Sequence, residues 1–201
     1  MKPIKILIVA AILVFAFACK NDDPEVFSKG SFDIAAGGVW CYQVIDTLSD
    51  MSTTTDTIVM RAIGEAKHGK SSEFLCVLEK HFETIDTIKI ILSDTCLEFT
   101  HGTHSRSPLF ACLKFRIPFT LGDEWYASKV KSYHSGYEVL SHKYDVYQID
   151  YSEFVPGNRG NKSIFISKNS GIVSMHISYA EEMALYRRSI NLIYHAKEIN
   201  F

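Results

Sequence analysis

The sequence predicts an all-β fold, an antiparallel meander of about ten strands that forms a curved sheet or half-barrel. From Phe32 onward, short runs rich in Val, Ile, Tyr, Phe and Thr alternate with Gly, Asn, Asp, Ser and Pro, which is typical of strands and their turns. Helical periodicity is almost absent. The connections between the runs are short, and short connections favour pairing between consecutive strands. The alternative arrangement of the same strands is a β-sandwich.

The individual strands can be placed by their apolar runs, which are 39–47, 55–64, 72–81, 84–92, 95–100, 109–117, 124–132, 136–151, 162–167, 171–179 and 184–195. The run 136–151 exceeds a usual strand, so we expect either a bend near Ser141-His142 or one long strand along a curved sheet. Lys168-Asn169-Ser170-Gly171 predicts a hairpin because Asn and Gly tolerate positive φ. The last run competes with a helix, but its two-residue alternation favours a strand.

The N-terminus has the pattern of a signal peptide. Lys2 and Lys5 precede an uninterrupted apolar run, Ile6–Phe17, which is followed by polar residues from Lys20. A membrane-spanning helix needs about 20 apolar residues, so this run is too short for a permanent span.

The end of this segment, Ala16-Phe17-Ala18-Cys19, resembles the lipobox of bacterial lipoproteins in the relaxed form found in Bacteroidetes. The resemblance implies that residues 1–18 are removed and that lipidation of Cys19, with diacylglycerol on its thiol and a palmitate-type acyl chain, anchors the protein to a membrane. Two or more acyl chains hold a protein stably at a bilayer. The alternative is a plain secreted protein with a chance cysteine.

Cys19 begins a polar stretch that we interpret, over residues 19–31, as the lipidated cysteine and a flexible tether. Residues 32–201 then form a single all-β domain. Lys20-Asn21-Asp22-Asp23 resembles the tag that sends some Bacteroidetes lipoproteins to the outer face of the outer membrane. This implies a cell-envelope location, anchored by lipid in the outer membrane, with surface display favoured over the periplasmic side.

The charge of the chain excludes one class of partner. Removal of residues 1–18 takes away two lysines and no acid, so the formal charge changes from −2 to −4. No run of Lys or Arg is present, and we expect no nucleic-acid partner. The partner that the N-terminal lipid implies is the membrane itself, while a protein, glycan or lipid partner of the domain stays open.

Four cysteines remain beside Cys19 in an oxidising compartment, and they are candidates for one or two disulfides: Cys41, Cys76, Cys96 and Cys112. Four cysteines permit three full pairings, among which the sequence does not choose. The alternative is that each is a small apolar residue within a strand. None has the Cys-x-x-Cys spacing of a redox or zinc site.

Motifs for catalysis or for a cofactor are absent from the sequence. It contains no Gly-x-Ser-x-Gly elbow, no phosphate-binding glycine loop and no EF-hand loop. His101 and His104 share a polar loop, but zinc needs further ligands, which favours exposed loop residues. Asp123 and Glu124 are carboxylates from which a glycoside-hydrolase site could be built. We expect no enzyme activity, no metal and no cofactor.

Two surface features are suggested by short patterns. Asp46-Thr47-Leu48, Asp56-Thr57-Ile58 and Asp86-Thr87-Ile88 resemble the Asp-Ser/Thr-aliphatic tripeptide of Bacteroides-type O-glycosylation, which implies Thr47, Thr57 and Thr87 as acceptors. Aromatic residues are dense between Trp125 and Tyr151, where they would stack on a sugar or line a pocket, or pack as ordinary half-buried strand residues.

Val39-Trp40-Cys41-Tyr42, the Gly-Asp-Glu-Trp turn at 122–125 and the Ser-Gly-Ile-Val hairpin at 170–173 together resemble β half-barrel domains of uncharacterised Bacteroidetes lipoproteins. The combined interpretation is a membrane-anchored envelope lipoprotein with a non-catalytic, binding or structural role. The first alternative is a carrier that holds an apolar or lipid ligand in the curved sheet. The second alternative is an envelope hydrolase.

Overall fold

The protein folds as a single antiparallel sheet of twelve strands. The computed structural model describes residues 26–101, 110, 113–155, 158–178 and 185–196. A short 3-10 turn, Lys29–Ser31, precedes β1 (Val39–Leu48), β2 (Thr53–His68), β3 (Ser71–Lys80), β4 (Glu83–Leu92), β5 (Cys96–His101), β6 (Leu113–Arg116), β7 (Glu124–Trp125), β8 (Ser128–Val139), β9 (His142–Val155), β10 (Asn158–Ser167), β11 (Gly171–Ser178) and β12 (Leu185–Ala196). The predicted all-β meander is confirmed. Within the described ranges no helix is long and apolar enough to cross a bilayer.

The strand order is β6-β5-β4-β3-β2-β1-β12-β11-β10-β9-β8-β7, so β1 and β12 pair at the centre. The strands run between the two ends of the sheet, and we name these ends. We call the terminal end the one where β1 begins at Val39 opposite Ala196, the last residue of β12. The distal end is the one where β1 turns into β2 after Leu48. All twelve strands belong to one curved, nearly closed sheet, which corresponds to the predicted half-barrel and not to the β-sandwich alternative.

The inner face of the sheet carries the core. A row of directly paired residues crosses its centre, and each member is at most 4% exposed: Val44, Ile149, Ile164, Met175 and Ile190. Burial of each such side chain contributes about 1.5–3 kcal/mol to stability. The residues between them in sequence project from the outer face, because side chains alternate along a strand.

A tryptophan bridges the gap between the two edge strands. The indole N–H of Trp125 in β7 donates a hydrogen bond of 3.0 Å to the carbonyl oxygen of Lys114 in β6. The ring of Trp125 stacks on Phe119, with 5.7 Å between the ring centroids. The bridge satisfies one carbonyl group at the edge of β6 and links the two edge strands.

Residues before β1 belong to the packed domain. Phe27 exchanges two backbone hydrogen bonds of 3.0 Å with Phe119, and the two rings stack at 4.8 Å. Phe27 is 0% exposed, and Ser31 accepts a hydrogen bond of 2.8 Å from the N–H of Asn169. The flexible tether predicted over residues 19–31 is therefore too long at its C-terminal side, because Phe27 docks on Phe119 and Ser31 is bonded to the turn between β10 and β11.

The long run 136–151 forms neither a bent strand nor a single strand. It is divided into β8 and β9 by a two-residue turn at Leu140-Ser141, where φ is 46° and 71°. A hairpin turn with positive φ at both central residues normally carries Asn-Gly, and neither residue here gives that signal. Because Leu140 and Ser141 stand where Asn and Gly are usual, the sequence pattern does not reveal the turn.

The turn residues suggest a stabilising change. We expect the double substitution Leu140→Asn, Ser141→Gly to raise the free energy of unfolding by about 1–2 kcal/mol, because bulky L-residues pay for the left-handed conformation and Asn-Gly does not. Urea denaturation followed by tryptophan fluorescence measures the change. An unchanged or lower midpoint would contradict a strained turn.

Two other local predictions are confirmed. Lys168-Asn169-Ser170 connects β10 to β11, and Asn169 and Gly171 have φ of 68° and 73°. The last apolar run is the strand β12 and not a helix.

Candidate functional site

The space inside the sheet, where a carried lipid would lie, contains aromatic side chains. The ring of Tyr147 meets Phe119 and Phe27 edge-on at 5.3 and 6.3 Å, and Tyr133 lies 5.1 Å away. Tyr147, Phe27 and Phe119 are at most 2% exposed. A void as wide as a water molecule beside these rings would expose part of them. The described side chains therefore give no support to the carrier alternative in this half of the sheet.

The other half of the interior is filled in the same way. Phe110 lies 5.1 Å from Tyr42 and 6.3 Å from Phe99, which in turn meets Phe115 and Phe32 at 6.3 Å. The hydroxyl of Tyr42 donates a hydrogen bond of 3.1 Å to the carbonyl oxygen of Ile172. Burial raises the pKa of Tyr42, so its hydroxyl stays protonated and acts as a structural donor.

A polar network covers the outer face of β8–β12. The strand register places its members in adjoining positions, since Ser132 is opposite Gln148, and Ser174 is opposite Asn191. We define the polar network as Ser132, His134, Gln148, Asp150, Ser163, Ser174, His176, Ser189 and Asn191. The polar network brings Ser, His and Asp side chains together, which are the residue types that a hydrolase site would need.

The first Ser-His pair of the network is held by an amide. Gln148 donates from Nε2 to Asp150 Oδ1 at 2.9 Å, and a carboxylate only accepts, so Gln148 Oε1 must face the other way. That oxygen accepts from Ser132 Oγ at 3.1 Å and lies 3.3 Å from His134 Nε2. Ser132 Oγ and His134 Nε2 are 2.7 Å apart. Gln148 Oε1 is thus an acceptor within reach of both Ser132 and His134, and it competes with the histidine for the proton of the serine hydroxyl.

The second pair, Ser174 and His176, follows the same logic. Ser174 Oγ lies 2.9 Å from its acceptor Asn191 Oδ1 and 3.3 Å from His176 Nε2. His176 Nδ1 lies 3.1 Å from Ser189 Oγ, so both ring nitrogens of His176 have a serine partner. Ser174 is only 1% exposed, so a substrate has no access to its oxygen. This arrangement stabilises neighbouring strands and does not activate a nucleophile.

Asp150 is the charged centre of the network. Burial opposes its ionisation, but hydrogen bonds from Gln148 and Ser163 and the ion pair with Lys131 outweigh it and lower the pKa of Asp150. Lys131 Nζ lies 3.1 Å from Asp150 Oδ2. The carboxylate is therefore ionised as an acceptor for three strands and does not serve as a general acid.

Desolvation lowers the pKa of His176 below its usual 6.5. As pH falls through 6.5, the unfolded chain takes up a proton at this position before the folded protein does, so folding becomes less favourable. We expect the loss of stability between pH 7.5 and pH 5 to be smaller in His176→Gln than in the wild type. Urea denaturation at both pH values tests this, and an equal loss in the two proteins would contradict it.

The aromatic stretch from Trp125 to Tyr151 is used for packing. On the outer face, the ring of Tyr137 stacks on Phe165 at 4.5 Å, and His134 and His176 flank Phe165 at 6.2 and 5.7 Å. Phe165 is 8% exposed under this cover. Trp125 and Tyr147 point to the inner face, so the described rings do not form an open aromatic platform for a sugar.

Three of the four candidate disulfide cysteines are described, and their thiols are free: Cys41, Cys76 and Cys96. Cys76 is 0% exposed on the inner face, and burial raises its pKa to about 12. Burial also raises the pKa of Cys41 and of Cys96. Cys112 lies outside the described residues. These thiols have the properties of small apolar packing residues, because a raised pKa suppresses the reactive thiolate.

The three candidate glycosylation threonines all lie on the outer face. Thr57 is exposed, and Thr47 and Thr87 are half-buried. Thr47 and Thr57 belong to β1 and β2, and Thr87 belongs to β4. Attachment of a glycan at these positions stays a prediction, and it requires the most rearrangement at the half-buried pair.

The remaining candidates are dispersed. Cys19 and His104 lie outside the described residues, and the backbone of His101 closes β5. Asp123 accepts a hydrogen bond of 2.8 Å from the N–H of Thr120 and so stabilises the turn before β7. Glu124 forms an ion pair with Lys129, so each carboxylate has a structural partner. Across the described part of the chain no group of three or more His, Cys, Asp and Glu side chains is arranged to hold a metal ion.

The fold is related to that of two solved proteins. An inferred exported protein with a YmcC-like fold from Bacteroides fragilis aligns with a TM-score of 0.57 and 13% identity over 86% of this chain and 100% of its own. An inferred lipoprotein from Parabacteroides distasonis aligns with a TM-score of 0.50 and 11% identity over 85% of this chain and 100% of its own. The three proteins share a fold. In sequence, the chain matches no protein-family model and no curated protein.

Sequence reasoning did not find the polar network. A signal was present, because Ser132-Tyr133-His134 and Ser174-Met175-His176 each place Ser and His two residues apart, on the same face of a strand. Their partners Gln148 and Asn191 come from neighbouring strands, and only the register joins them.

Proposed function

We propose that the protein is a cell-envelope lipoprotein, anchored through lipid on Cys19, whose domain has a non-catalytic binding or structural role. The observation that carries the proposal is the chain path: the lipobox-like Ala16-Phe17-Ala18-Cys19 is followed by a domain that is already docked at Phe27. A lipid on Cys19 thus holds a folded domain close to the membrane. The exported and lipoprotein assignments of the two fold relatives support an envelope location.

The non-catalytic role is supported by the surroundings of the two Ser-His pairs. In the polar network Ser132 and Ser174 donate to the amide oxygens of Gln148 and Asn191. These amides engage the serine hydroxyls, and Ser174 is in addition 1% exposed, which keeps a substrate from its oxygen. The outer membrane, with display on the cell surface, is the location that the polar stretch after Cys19 favours.

Substitution Cys19→Ala tests the anchoring. We expect it to abolish incorporation of labelled palmitate and to shift the protein from the membrane fraction to the soluble fraction, because the acyl chains provide the anchor. Cys96→Ala is the matched control, and it should keep full labelling. Palmitate on the Cys19→Ala protein would refute the proposal.

A further inference from the structure

We propose that the distal end of the sheet contacts the bilayer that holds the Cys19 lipid, with Met51, Phe82 and Tyr126 inserted at the level of the headgroups. These three residues form the membrane-contact surface. The inference rests on the proposed lipidation and adds this surface to it. The partner is a bilayer of zwitterionic lipid, and it is identified by the direction of the chain toward Cys19, by the exposed apolar side chains of the distal turns and by the charges beside them.

The connection between β6 and β7 runs toward the distal end. At its start, the N–H of Ile117 donates a hydrogen bond of 3.0 Å to the carbonyl oxygen of Thr95, in the β4–β5 turn at the terminal end. At its end, the connection passes into β7, which leads to the β7–β8 turn with Tyr126 at the distal end. Phe119 belongs to this connection, so the direction of any segment paired with Phe119 follows from it.

The chain before β1 pairs with this connection in the opposite sense. The bridge between Phe27 and Phe119 is antiparallel, so the chain enters the bridge from the distal side. It then continues to the terminal end, where the ammonium group of Lys29 lies 3.2 Å from the carboxylate of Asp94 in the β4–β5 turn. Followed backwards from Phe27, the chain therefore points toward the distal end.

The length of the tether agrees with this direction. Residues 20–26 span at most about 25 Å when fully extended. Phe119 and Tyr126 are separated by as many steps along the chain as Cys19 and Val26, so the β7–β8 turn lies within the reach of the lipid. The lipid can thus meet the bilayer at the distal end without a reversal of the chain.

The distal turns carry the most exposed large apolar side chains of the described residues. Phe82, Tyr126 and Met51 are 103%, 88% and 68% exposed. Met51 lies in the β1–β2 turn, Phe82 in the β3–β4 turn and Tyr126 in the β7–β8 turn, all at the distal end. Large apolar side chains that project into water at one end of a molecule indicate a contact with an apolar partner.

The backbone of these turns gives no reason for bulky residues. The angle φ is 66° at Met51, 67° at Phe82 and 49° at Tyr126, in the left-handed region that favours Gly and Asn. The four strand-to-strand turns at the terminal end contain one large apolar side chain, Leu140, which is 42% exposed. The other residues of those turns are Gly69, Lys70, Ser93, Asp94, Thr95, Ser141, Lys168, Asn169 and Ser170. A conformational cost at three turns of the opposite end indicates that their side chains serve a contact outside the fold.

The charges beside the distal turns suit zwitterionic lipid. Asp50 precedes Met51 and Glu83 follows Phe82, and both acidic residues are exposed. At headgroup depth, carboxylates can pair with the ammonium groups of phosphatidylethanolamine, whereas anionic lipid would repel them. The aromatic rings and the thioether then reach the boundary with the acyl chains, where aromatic side chains are favoured.

Tryptophan at matched turn positions tests the orientation. Phe82 and Ser141 are each the second residue of a two-residue turn, with φ of 67° and 71°, the first at the distal end and the second at the terminal end. Phe82→Trp and Ser141→Trp, as full-length lipidated proteins, are reconstituted in phosphatidylethanolamine–phosphatidylcholine vesicles with brominated acyl chains. We expect bromine to quench the emission added by Phe82→Trp and to leave the emission added by Ser141→Trp. The wild type measures the background from Trp40 and Trp125.

Each outcome has a separate meaning. Equal quenching at both positions, or stronger quenching at position 141, would overturn the membrane-contact surface while the anchor stands. Absence of quenching at both positions would overturn it as well and would leave the distal side chains to a protein partner. Failure of the wild type to float with the vesicles would overturn the proposed lipidation, and with it this inference. Urea denaturation of each variant confirms that both retain the fold.

Discussion

Replacement of Phe27 by alanine is expected to lower the free energy of unfolding by about 3–5 kcal/mol, the cost of removing a fully buried phenyl ring. Phe27 is 0% exposed and contacts both Phe119 and Tyr147. In a domain of this size, the loss corresponds to a decrease in melting temperature of about 10 °C. Thermal and urea denaturation of the chain beginning after the signal segment measure it.

The neighbouring residue gives the control for this prediction. Val26 is 49% exposed, so Val26→Ala should change the free energy of unfolding by less than about 0.5 kcal/mol. If Phe27→Ala were as mild as Val26→Ala, the segment before β1 would not be part of the core. The lipid on Cys19 would then hold the domain through a longer tether.

Substitution Gly171→Ala is expected to destabilise the protein by about 2–3 kcal/mol. Gly171 has φ of 73°, and a Cβ atom there would stand 2.9 Å from Cε2 of Phe32. The cost combines a left-handed conformation, which L-residues rarely adopt, with overpacking against a buried ring.

Gly64→Ala is the matched control, since a Cβ at Gly64 meets nothing within 4 Å and its φ is not positive. We expect the two glycine variants to differ by about 2 kcal/mol in the free energy of unfolding measured with urea. Equal stability of the two variants would show that neither the left-handed conformation at Gly171 nor the contact with Phe32 costs stability, and that the residues before β1 are loosely packed.

Local chemistry accounts for the parts of the fold that the sequence predicts. Most strands are visible from their apolar runs, and the β10–β11 hairpin is visible because Asn169 and Gly171 are the residues that positive φ favours. The β8–β9 hairpin is hidden because Leu140 and Ser141 adopt the same backbone conformation without the usual side chains. At this turn, the pairing of the two long strands outweighs the conformational preferences of Leu140 and Ser141.

Features that depend on distant residues are beyond sequence reasoning. The docking of Phe27 needs Phe119, which lies beyond six intervening strands, and no local pattern links the two positions. The polar network likewise requires the register of β8–β12, because Ser132 and Gln148 become neighbours only when these strands pair. Its chemistry, donation by serine to an amide, is decided by hydrogen-bond directions that a sequence does not contain.

The pairing of β1 with β12 has a topological consequence. Val39 and Ala196 are direct neighbours, whereas the break in the sheet falls between β6 and β7, in the middle of the sequence. If a short linker joined the two central strands and the chain were opened between β6 and β7, every strand would pair with its successor from one edge to the other. The protein is thus a circular permutation of a simple up-and-down meander, cut in the centre, so that both ends of the chain leave the sheet on the same side.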